Sequence, residues 1–136
     1  MIADLDVSGS AYVIDGDTLR IGDERIRLHG IDAPELRQTC GPLACGAESR
    51  ARLVAIIGRR PVNCTGRSRD RYRRIIATCR VAGRDIAGAL VGEGWALAYV
   101  RYSRDYLTEE TRARRQRLGM WTTEFVPPED WRRGRR

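Results

Sequence analysis

The sequence predicts a single α+β domain in which antiparallel strands dominate. The chain has 136 residues, which is the size of one domain built around one core. Its first half is a succession of short β-rich segments separated by turns that contain Gly and Asp, and segments with helical spacing come later. No apolar run approaches the length of about 20 residues that a bilayer span requires, so no membrane-spanning helix is expected.

The first elements are predicted to form an antiparallel meander. Strands are expected at residues 11–14, 18–21 and 25–31. The first connection combines Asp with Gly, as tight turns do, and Gly22 with Asp23 supplies the second. Because both connections are short, the three strands should be neighbours in one sheet.

Helices and further strands follow the meander. The apolar spacing of residues 47–57 predicts a helix that ends at Gly58. The other elements are expected in this order: strands 61–64 and 75–81, a short helix 86–91, a strand 96–100, and a last helix from Ser103 to about Leu118. Acidic residues near the start of the last helix and arginines near its end complement the helix dipole. Beyond it, Pro127, Pro128 and the arginine-rich end are expected to be irregular.

The charge balance points to a polyanionic partner. The chain carries 25 basic and 18 acidic residues, a net charge of +7, and every basic residue is Arg. Guanidinium groups bind phosphate and carboxylate through paired hydrogen bonds, which favours nucleic acid as the partner. For the absence of Lys alone, the codon bias of a GC-rich genome is an alternative explanation.

The four cysteines allow two interpretations. Their spacing matches no zinc-binding pattern, but Cys64 and Cys79 are nearly symmetric about a predicted hairpin tip, and Cys40 and Cys45 could close a short loop. Disulfides Cys40–Cys45 and Cys64–Cys79 would indicate a secreted or periplasmic protein whose signal peptide has been removed. The alternative is a cytoplasmic protein with small buried thiols.

The densest chemical signal lies in the meander. Three carboxylates, Asp17, Asp32 and Glu35, fall at neighbouring strand ends, with Arg27 between them in sequence. Clustered carboxylates repel one another unless a cation or Arg compensates them. An all-oxygen donor set favours calcium or magnesium over zinc. Alternatively, Asp17 and the nearby Asp15 are ordinary turn residues.

A second signal lies at the predicted hairpin tip, Asp70-Arg71-Tyr72-Arg73-Arg74. Its three guanidinium groups could bind a phosphodiester. Without other signals, such a run is a solvated loop.

Together these motifs resemble the staphylococcal nuclease family. The resemblance covers roughly residues 10–121, and its motifs occur in the family's order: Asp15-Gly16-Asp17-Thr18, Arg27-Leu28, Ile31-Asp32-Ala33-Pro34-Glu35, residues 70–74, Gly94 through Tyr99, and Leu118-Gly119-Met120-Trp121. It implies a five-stranded OB-fold barrel with three helices in a single domain. The corresponding division is an N-terminal extension (1–9), the domain (10–121) and a basic C-terminal tail (122–136).

The resemblance also implies a calcium site. One Ca²⁺ would be bound by the carboxylates of Asp17 and Asp32 and by the backbone carbonyl of Ala33, with Asp15 supporting this shell. The best-known family member has Thr where this chain has Ala33, so a hydroxyl hydrogen bond to Glu35 is absent here.

Catalytic and substrate-binding roles follow by position. Arg27 and Arg74 correspond to the phosphate-binding arginines, and Glu35 corresponds to the general base. Tyr72 and Tyr99 fall in the nucleotide pocket, and Arg71 is expected to assist substrate binding. Arg101 takes the place of a second pocket tyrosine, and Arg73 replaces a common Gly. His29 is expected to be a strand side chain near the site. Tyr99 as a core residue is the alternative.

The expected function is calcium-dependent endonucleolytic hydrolysis of DNA and RNA that leaves 3′-phosphates. A monomer without membrane contact is expected. The alternative is a catalytically weak or inactive nucleic-acid-binding OB module, although such a module gains nothing from carboxylates that face a polyanion. A module that reads arginine-rich peptides is disfavoured because a chain with net charge +7 would repel them.

Overall fold

The computed structural model describes residues 5–135, which form one mixed α+β domain. The strands are β1 Val7–Gly9, β2 Ala11–Asp15, β3 Thr18–Ile21, β4 Glu24–Leu28, β5 Ile31–Asp32, β6 Val62–Arg69, β7 Ile75–Val81, β8 Arg84–Asp85 and β9 Leu97–Ala98. The helices are α1 Cys45–Ile57, α2 Ile86–Gly92, α3 Leu107–Arg115 and α4 Pro128–Arg132, with a 3-10 turn at Gly119–Thr122. Residues 1–4 of the predicted extension and Arg136 of the predicted tail lie outside the described residues.

The predicted meander is present as β2, β3 and β4. These strands belong to a seven-stranded sheet with the order β1-β6-β7-β4-β3-β2. The seventh strand, β8, pairs with residues 80–81 at the end of β7. The pair β4–β7 is parallel and the other pairs are antiparallel. A separate pair, β5–β9, completes the β structure.

The strand count and the closed barrel differ from the prediction. The pairing path is open, and its two ends, β1 and β2, are separated along the chain only by Ser10. A strand was expected only at residues 11–14, and β1 lies in the predicted N-terminal extension. The chain changes partner here, because β1 pairs with β6 whereas β2 pairs with β3, and Gly9 at this change has φ 150°. The strands β5, β8 and β9 are each two residues long. β5 and β8 had no separate signal in the sequence, whereas β9 lies within the strand predicted at 96–100.

The core lies between one face of the sheet and the helices. On β3 the buried Leu19 and Ile21 flank the exposed Arg20, and on β4 the buried Ile26 and Leu28 flank the half-buried Arg27, as expected for a sheet with one solvated face. On α1 the buried apolar residues include Leu53 and Ile57. The opposite face of β4 therefore remains available for polar side chains.

The last long helix is shorter than predicted. It spans Leu107–Arg115 instead of 103–118. Ser103 does not cap it, because its hydroxyl accepts from the backbone N–H of Asp105 in a local turn (3.0 Å). Arg117 has φ 52°, which ends the helix before Leu118.

The predicted irregular end is partly ordered. Residues 128–132 form α4, with Pro128 in the first turn and Glu129 and Asp130 at its positive end, a combination that favours helix initiation. The amide of Gln38 donates to the carbonyl of Val126 (2.8 Å) and fixes the segment against the domain. Among the described residues, no helix is long and apolar enough to cross a membrane.

All four cysteines form the expected disulfides. Cys40 is bonded to Cys45, and Cys64 is bonded to Cys79, its partner in the β6–β7 register. We expect a thiol assay on the denatured, unreduced protein to detect no free thiol. A value near four thiols per chain would contradict this pairing.

Asp85 is predicted to be a strong stability determinant. Its Oδ1 caps α2 by accepting from the backbone N–H groups of Ala87 (3.0 Å) and Gly88 (3.2 Å), and its Oδ2 accepts from the buried Tyr106 hydroxyl (2.6 Å). Asp85→Ala removes the cap and leaves that hydroxyl unpaired, so the free energy of unfolding should fall by about 2–4 kcal/mol. Urea denaturation measures this. Asp23→Ala, in an exposed turn, is the control, and an equally small loss in both variants would contradict the prediction.

Candidate active site

A cleft of about 890 Å³ opens on the solvated face of the sheet, beside β4 and β7. All the predicted site residues except Asp32 and Ala33 line it: Asp15, Asp17, Arg27, Glu35, Arg71, Tyr72, Arg74 and Tyr99. Asp32 and Ala33 are 3% and 1% exposed and adjoin residues that line it. Segments far apart in sequence therefore bring the predicted residues to one place.

Three carboxylates, Asp15, Asp17 and Asp32, form the acidic floor of the cleft. The β2–β3 turn positions the first two. The backbone N–H of Asp17 donates to Asp15 Oδ1 (3.1 Å), which stabilises the turn. A Cβ at Gly16 would overlap the side chains of Ser49 on α1 and of Ala33. Glycine is therefore required here, because the turn packs directly against both neighbours.

The carboxylate of Asp17 is buried and has three partners in the domain. It accepts from the backbone N–H of Ala33 (3.0 Å) and from the hydroxyl of Thr18 (3.1 Å). Its Oδ2 lies 3.6 Å from Nη1 of Arg27, and that guanidinium also donates to the carbonyl of Leu28 (2.8 Å). Asp17 and Arg27 are thus fixed relative to each other.

Burial disfavours the ionised form of all three carboxyl groups of the floor, Asp15, Asp17 and Asp32. Burial, together with the charge of Asp17, raises the pKa of Asp15 to about 7. Burial also favours a higher pKa for Asp17, but Arg27 and the hydrogen bonds outweigh it and the pKa of Asp17 is lowered. For Asp32 burial prevails over the nearby Arg132, so its pKa is raised. A bound cation would relieve this repulsion.

Arg132 of α4 enters the cleft, which the sequence analysis did not foresee. Its Nη1 lies 2.9 Å from Asp32 Oδ1 and 3.4 Å from Glu35 Oε2. Asp32 and Glu35 hold its pKa above the usual range despite partial burial. The Pro-Glu-Asp sequence that starts α4 was an available helix signal, but no local pattern relates Arg132 to residues 97 and 100 positions earlier.

The oxygen atoms available in the floor are of the type that a hard divalent cation prefers, but the protein supplies few of them. The available groups are the oxygens of Asp17, Asp32 and the carbonyl of Ala33, with Asp15 and Glu35 nearby, and oxygen ligands suit Ca²⁺. Within residues 5–135, no group of three or more His, Cys, Asp or Glu side chains is arranged to hold a metal ion. A site at this position would therefore use two carboxylates, a backbone carbonyl and water.

The β6–β7 hairpin tip presents Arg74. Asp70 Oδ1 accepts from the backbone N–H groups of Tyr72 and Arg74 (both 2.9 Å), and its Oδ2 accepts from Nε of Arg74 (2.8 Å). Arg73 adopts φ 67° and takes the place of a glycine without opening the turn. Asp70 is partly buried, yet the hydrogen bonds from Arg74 and Tyr72 lower its pKa. The tip is therefore built around one ionised carboxylate.

Aromatic and cationic groups alternate along the rim. The guanidinium carbons of Arg71 and Arg74 lie 5.0 Å and 5.5 Å from the ring centre of Tyr72, which is 54% exposed. Across the cleft, Tyr99 contacts Tyr102 edge to face, with ring centres 4.9 Å apart. Tyr99 is half-buried at the cleft wall instead of in the core. This arrangement suits a base held between aromatic faces.

Three neighbouring residues have other partners. His29 was expected on a strand but lies in the turn after β4, and its Nε2 is 3.1 Å from Asp105 Oδ2. Arg101, at the position expected for a second pocket tyrosine, pairs with Glu129 (2.7 Å). Tyr102, one residue later, lines the cleft.

Comparison with known proteins identifies the family. The family described as "Staphylococcal nuclease homologue" matches residues 25–123. The chain belongs to the staphylococcal nuclease family. The resemblance seen in the motifs is thereby confirmed, and the family match ends before α4 begins.

Several curated relatives carry related sequences. The succinoglycan biosynthesis protein ExoI of Rhizobium meliloti is 36% identical over 123 residues, which cover 85% of this chain and 64% of that protein. An uncharacterized endonuclease of Haemophilus influenzae is 33% identical over 89% of this chain and 70% of its own length. A micrococcal nuclease of Shigella flexneri is 34% identical over 89% of this chain and 77% of its own length. The chain thus spans about two-thirds to three-quarters of these family members.

Proposed function

We propose that this chain is a calcium-dependent nuclease that hydrolyses phosphodiester bonds of DNA and RNA and leaves 3′-phosphates. The observation that carries the proposal is the single cleft in which buried carboxylates face the guanidinium groups of Arg27 and Arg74. Family membership and the relatives named endonuclease and micrococcal nuclease support the same reaction class. The product polarity rests on the family resemblance.

The cation would be held by Asp17, Asp32 and the carbonyl of Ala33, with Asp15 as a supporting carboxylate. When bound there, Ca²⁺ supplies Lewis-acid polarisation of a phosphoryl oxygen. The raised pKa of Asp15, about 7, is consistent with a floor that gains stability from added positive charge.

The arginines would bind the scissile phosphate. Arg27 is fixed by the carbonyl of Leu28 and by Asp17, and Arg74 is fixed by Asp70, so both guanidinium groups are oriented before substrate arrives. Donors oriented in advance stabilise the charge that develops on the phosphoryl oxygens without a reorganisation cost.

Glu35 would act as the general base. It takes a proton from a water molecule whose oxygen bonds to phosphorus, and the bond from phosphorus to the 5′ oxygen breaks. The leaving oxygen is protonated from solvent. The Glu35 side chain is 38% exposed, which allows water to reach it. Arg71, Tyr72 and Tyr99 would hold the adjoining nucleotide by charge and stacking.

The same cleft and family membership support proposals on architecture, location and oligomeric state. We take the change of partner at Ser10 as the point where the sheet bends towards an OB-like barrel, with residues 10–121 as the family domain and 122–136 as an appended segment. The two disulfides favour a secreted or periplasmic location. A monomer is expected.

The test is nicking of supercoiled plasmid and cleavage of single-stranded RNA. Activity is expected with Ca²⁺ and should be lost in excess chelator. Glu35→Gln protein, purified identically, controls for contaminating nucleases. Binding of DNA without cleavage under any metal condition would favour the non-catalytic module, and activity that persists in chelator would contradict the calcium requirement.

A further inference from the structure

The C-terminal helix places a positive charge on the acidic floor. Arg132 Nη1 contacts both Asp32 (2.9 Å) and Glu35 (3.4 Å), and the Asp32 side chain is only 4% exposed. Arg132 itself lies outside the family-matched residues 25–123. The contact is therefore contributed by a segment that follows the matched residues.

The position of Arg132 is maintained by the packing of its segment. Gln38 is fully buried, accepts from the backbone N–H of Glu35 (3.2 Å) and donates to the carbonyl of Val126 (2.8 Å). It therefore joins the Glu35 loop to the C-terminal segment. On α4, Glu129 pairs with Arg101 (2.7 Å). Arg132 thus approaches the floor from a docked helix.

We infer that Arg132 is the resident counter-ion of the acidic floor and competes with a divalent cation for Asp32. The inference rests on the proposed metal site. A buried carboxylate beside a second one requires a positive charge nearby, and Arg132 supplies it without metal. Since the cation and the guanidinium use the same carboxylate, loss of Arg132 should make cation binding tighter.

Calorimetric titration with Ca²⁺ at about pH 8, without nucleic acid, tests the competition. Arg132→Gln should bind Ca²⁺ about ten-fold more tightly than wild type, because like-charge repulsion is removed. Arg132→Lys keeps the charge and should stay close to wild type. Arg133→Gln is the matched control, because Arg133 lies on the same chain segment but pairs with Glu129. Unchanged, weaker or undetectable binding in Arg132→Gln would overturn the inference.

Thermal melting provides a second readout that does not depend on turnover. In chelator, Arg132→Gln should melt a few degrees below wild type, and Ca²⁺ should raise its melting temperature by more than it raises that of wild type. Equal melting temperatures and equal Ca²⁺ effects would overturn the inference. Failure of the nuclease proposal is separate: tighter Ca²⁺ binding in Arg132→Gln without any cleavage by wild type would refute only the latter.

An independent observation concerns a basic row on the sheet. Tyr12, Arg20 and Arg25 are successive cross-strand partners on β2, β3 and β4. Arg25 lies two residues before Arg27 and so projects from the same face of β4 as the cleft arginine. Its guanidinium donates to the carbonyl of Tyr72 at the cleft rim (2.6 Å). The row, defined as Tyr12, Arg20 and Arg25, is therefore continuous with the cleft.

The row carries charge that the protein does not neutralise. Arg20 and Arg25 are directly opposite each other, an unfavourable like-charge pair, and neither forms an ion pair with a carboxylate of residues 5–135. Arg20 and Arg50 place their guanidinium carbons 5.1 Å and 5.6 Å from the ring centre of Tyr12, which is 53% exposed. Uncompensated guanidinium groups beside an exposed ring are typical of surfaces that bind nucleic-acid strands.

We propose that this row binds phosphate groups of the substrate nucleic acid on either side of the scissile nucleotide. This rests on nucleic acid as the substrate, and its test measures binding alone. Affinity for a labelled single-stranded DNA is determined in chelator across a salt series. In Arg20→Gln/Arg25→Gln the slope of log affinity against log salt should fall in magnitude by about 1.4, or 0.7 per lost phosphate contact.

The control carries the same charge change elsewhere. Arg112→Gln/Arg115→Gln removes two exposed charges from α3, which packs mainly on α2, and should keep the wild-type slope. A wild-type slope in Arg20→Gln/Arg25→Gln would overturn the row. Absence of DNA binding by the wild-type protein would instead remove nucleic acid as the substrate and the row with it.

Discussion

Replacement of Glu35 by Gln is expected to lower kcat by about 10²- to 10⁴-fold, the usual contribution of a positioned general base. The amide has nearly the same shape as the carboxylate but cannot accept the proton of the attacking water. Glu35 is partly exposed, and the loop that carries it is fixed through backbone contacts with Gln38, so the fold should not change. KM should change much less than kcat.

Steady-state cleavage of a short labelled oligonucleotide at saturating Ca²⁺ measures the effect, with melting temperature as a check on folding. Glu124→Gln is the matched control, because Glu124 is exposed and does not line the cleft. Wild-type kcat in Glu35→Gln would exclude Glu35 as the base. A proportional increase in KM alone would assign it to substrate or cation binding.

The local parts of the site could be predicted from sequence. The turn at Asp15 and Gly16 and the tip organised by Asp70 depend on residues within four positions of one another, so their side-chain and backbone preferences are visible in the sequence. Helix α1 likewise ends at Gly58 as its pattern indicates. Each of these features needs no information about distant packing.

The features that were missed depend on long-range contacts. Arg132 meets residues about 100 positions earlier, and the helix that carries it is positioned by a buried Gln38 with no functional signature of its own. The start of α3 follows Tyr106, whose buried hydroxyl binds Asp85 on another element. In both cases tertiary packing, and not local propensity, determines the outcome.

Arg74→Ala is expected to lower kcat by about 10²- to 10³-fold, as loss of a charged donor to the transition state does. The Asp70 carboxylate binds Nε of Arg74 (2.8 Å), and Nη1 lies 3.4 Å from the hydroxyl of Thr18, so the guanidinium is oriented across the cleft before substrate binds. Arg74→Lys keeps the charge but cannot hold a fork of two hydrogen bonds to phosphate. It should therefore recover substrate affinity while kcat stays low.

Arg73→Gly is the control, because it removes one positive charge from the same turn and suits the φ of 67° at that position. Its kcat should equal that of wild type, and its affinity for DNA should weaken only through the lost charge. If Arg74→Ala also changed only the salt dependence of binding, Arg74 would contact the strand without acting in the transition state. Arg27, which the buried Asp17 holds in place, would then be the guanidinium group that acts in the transition state beside the cation.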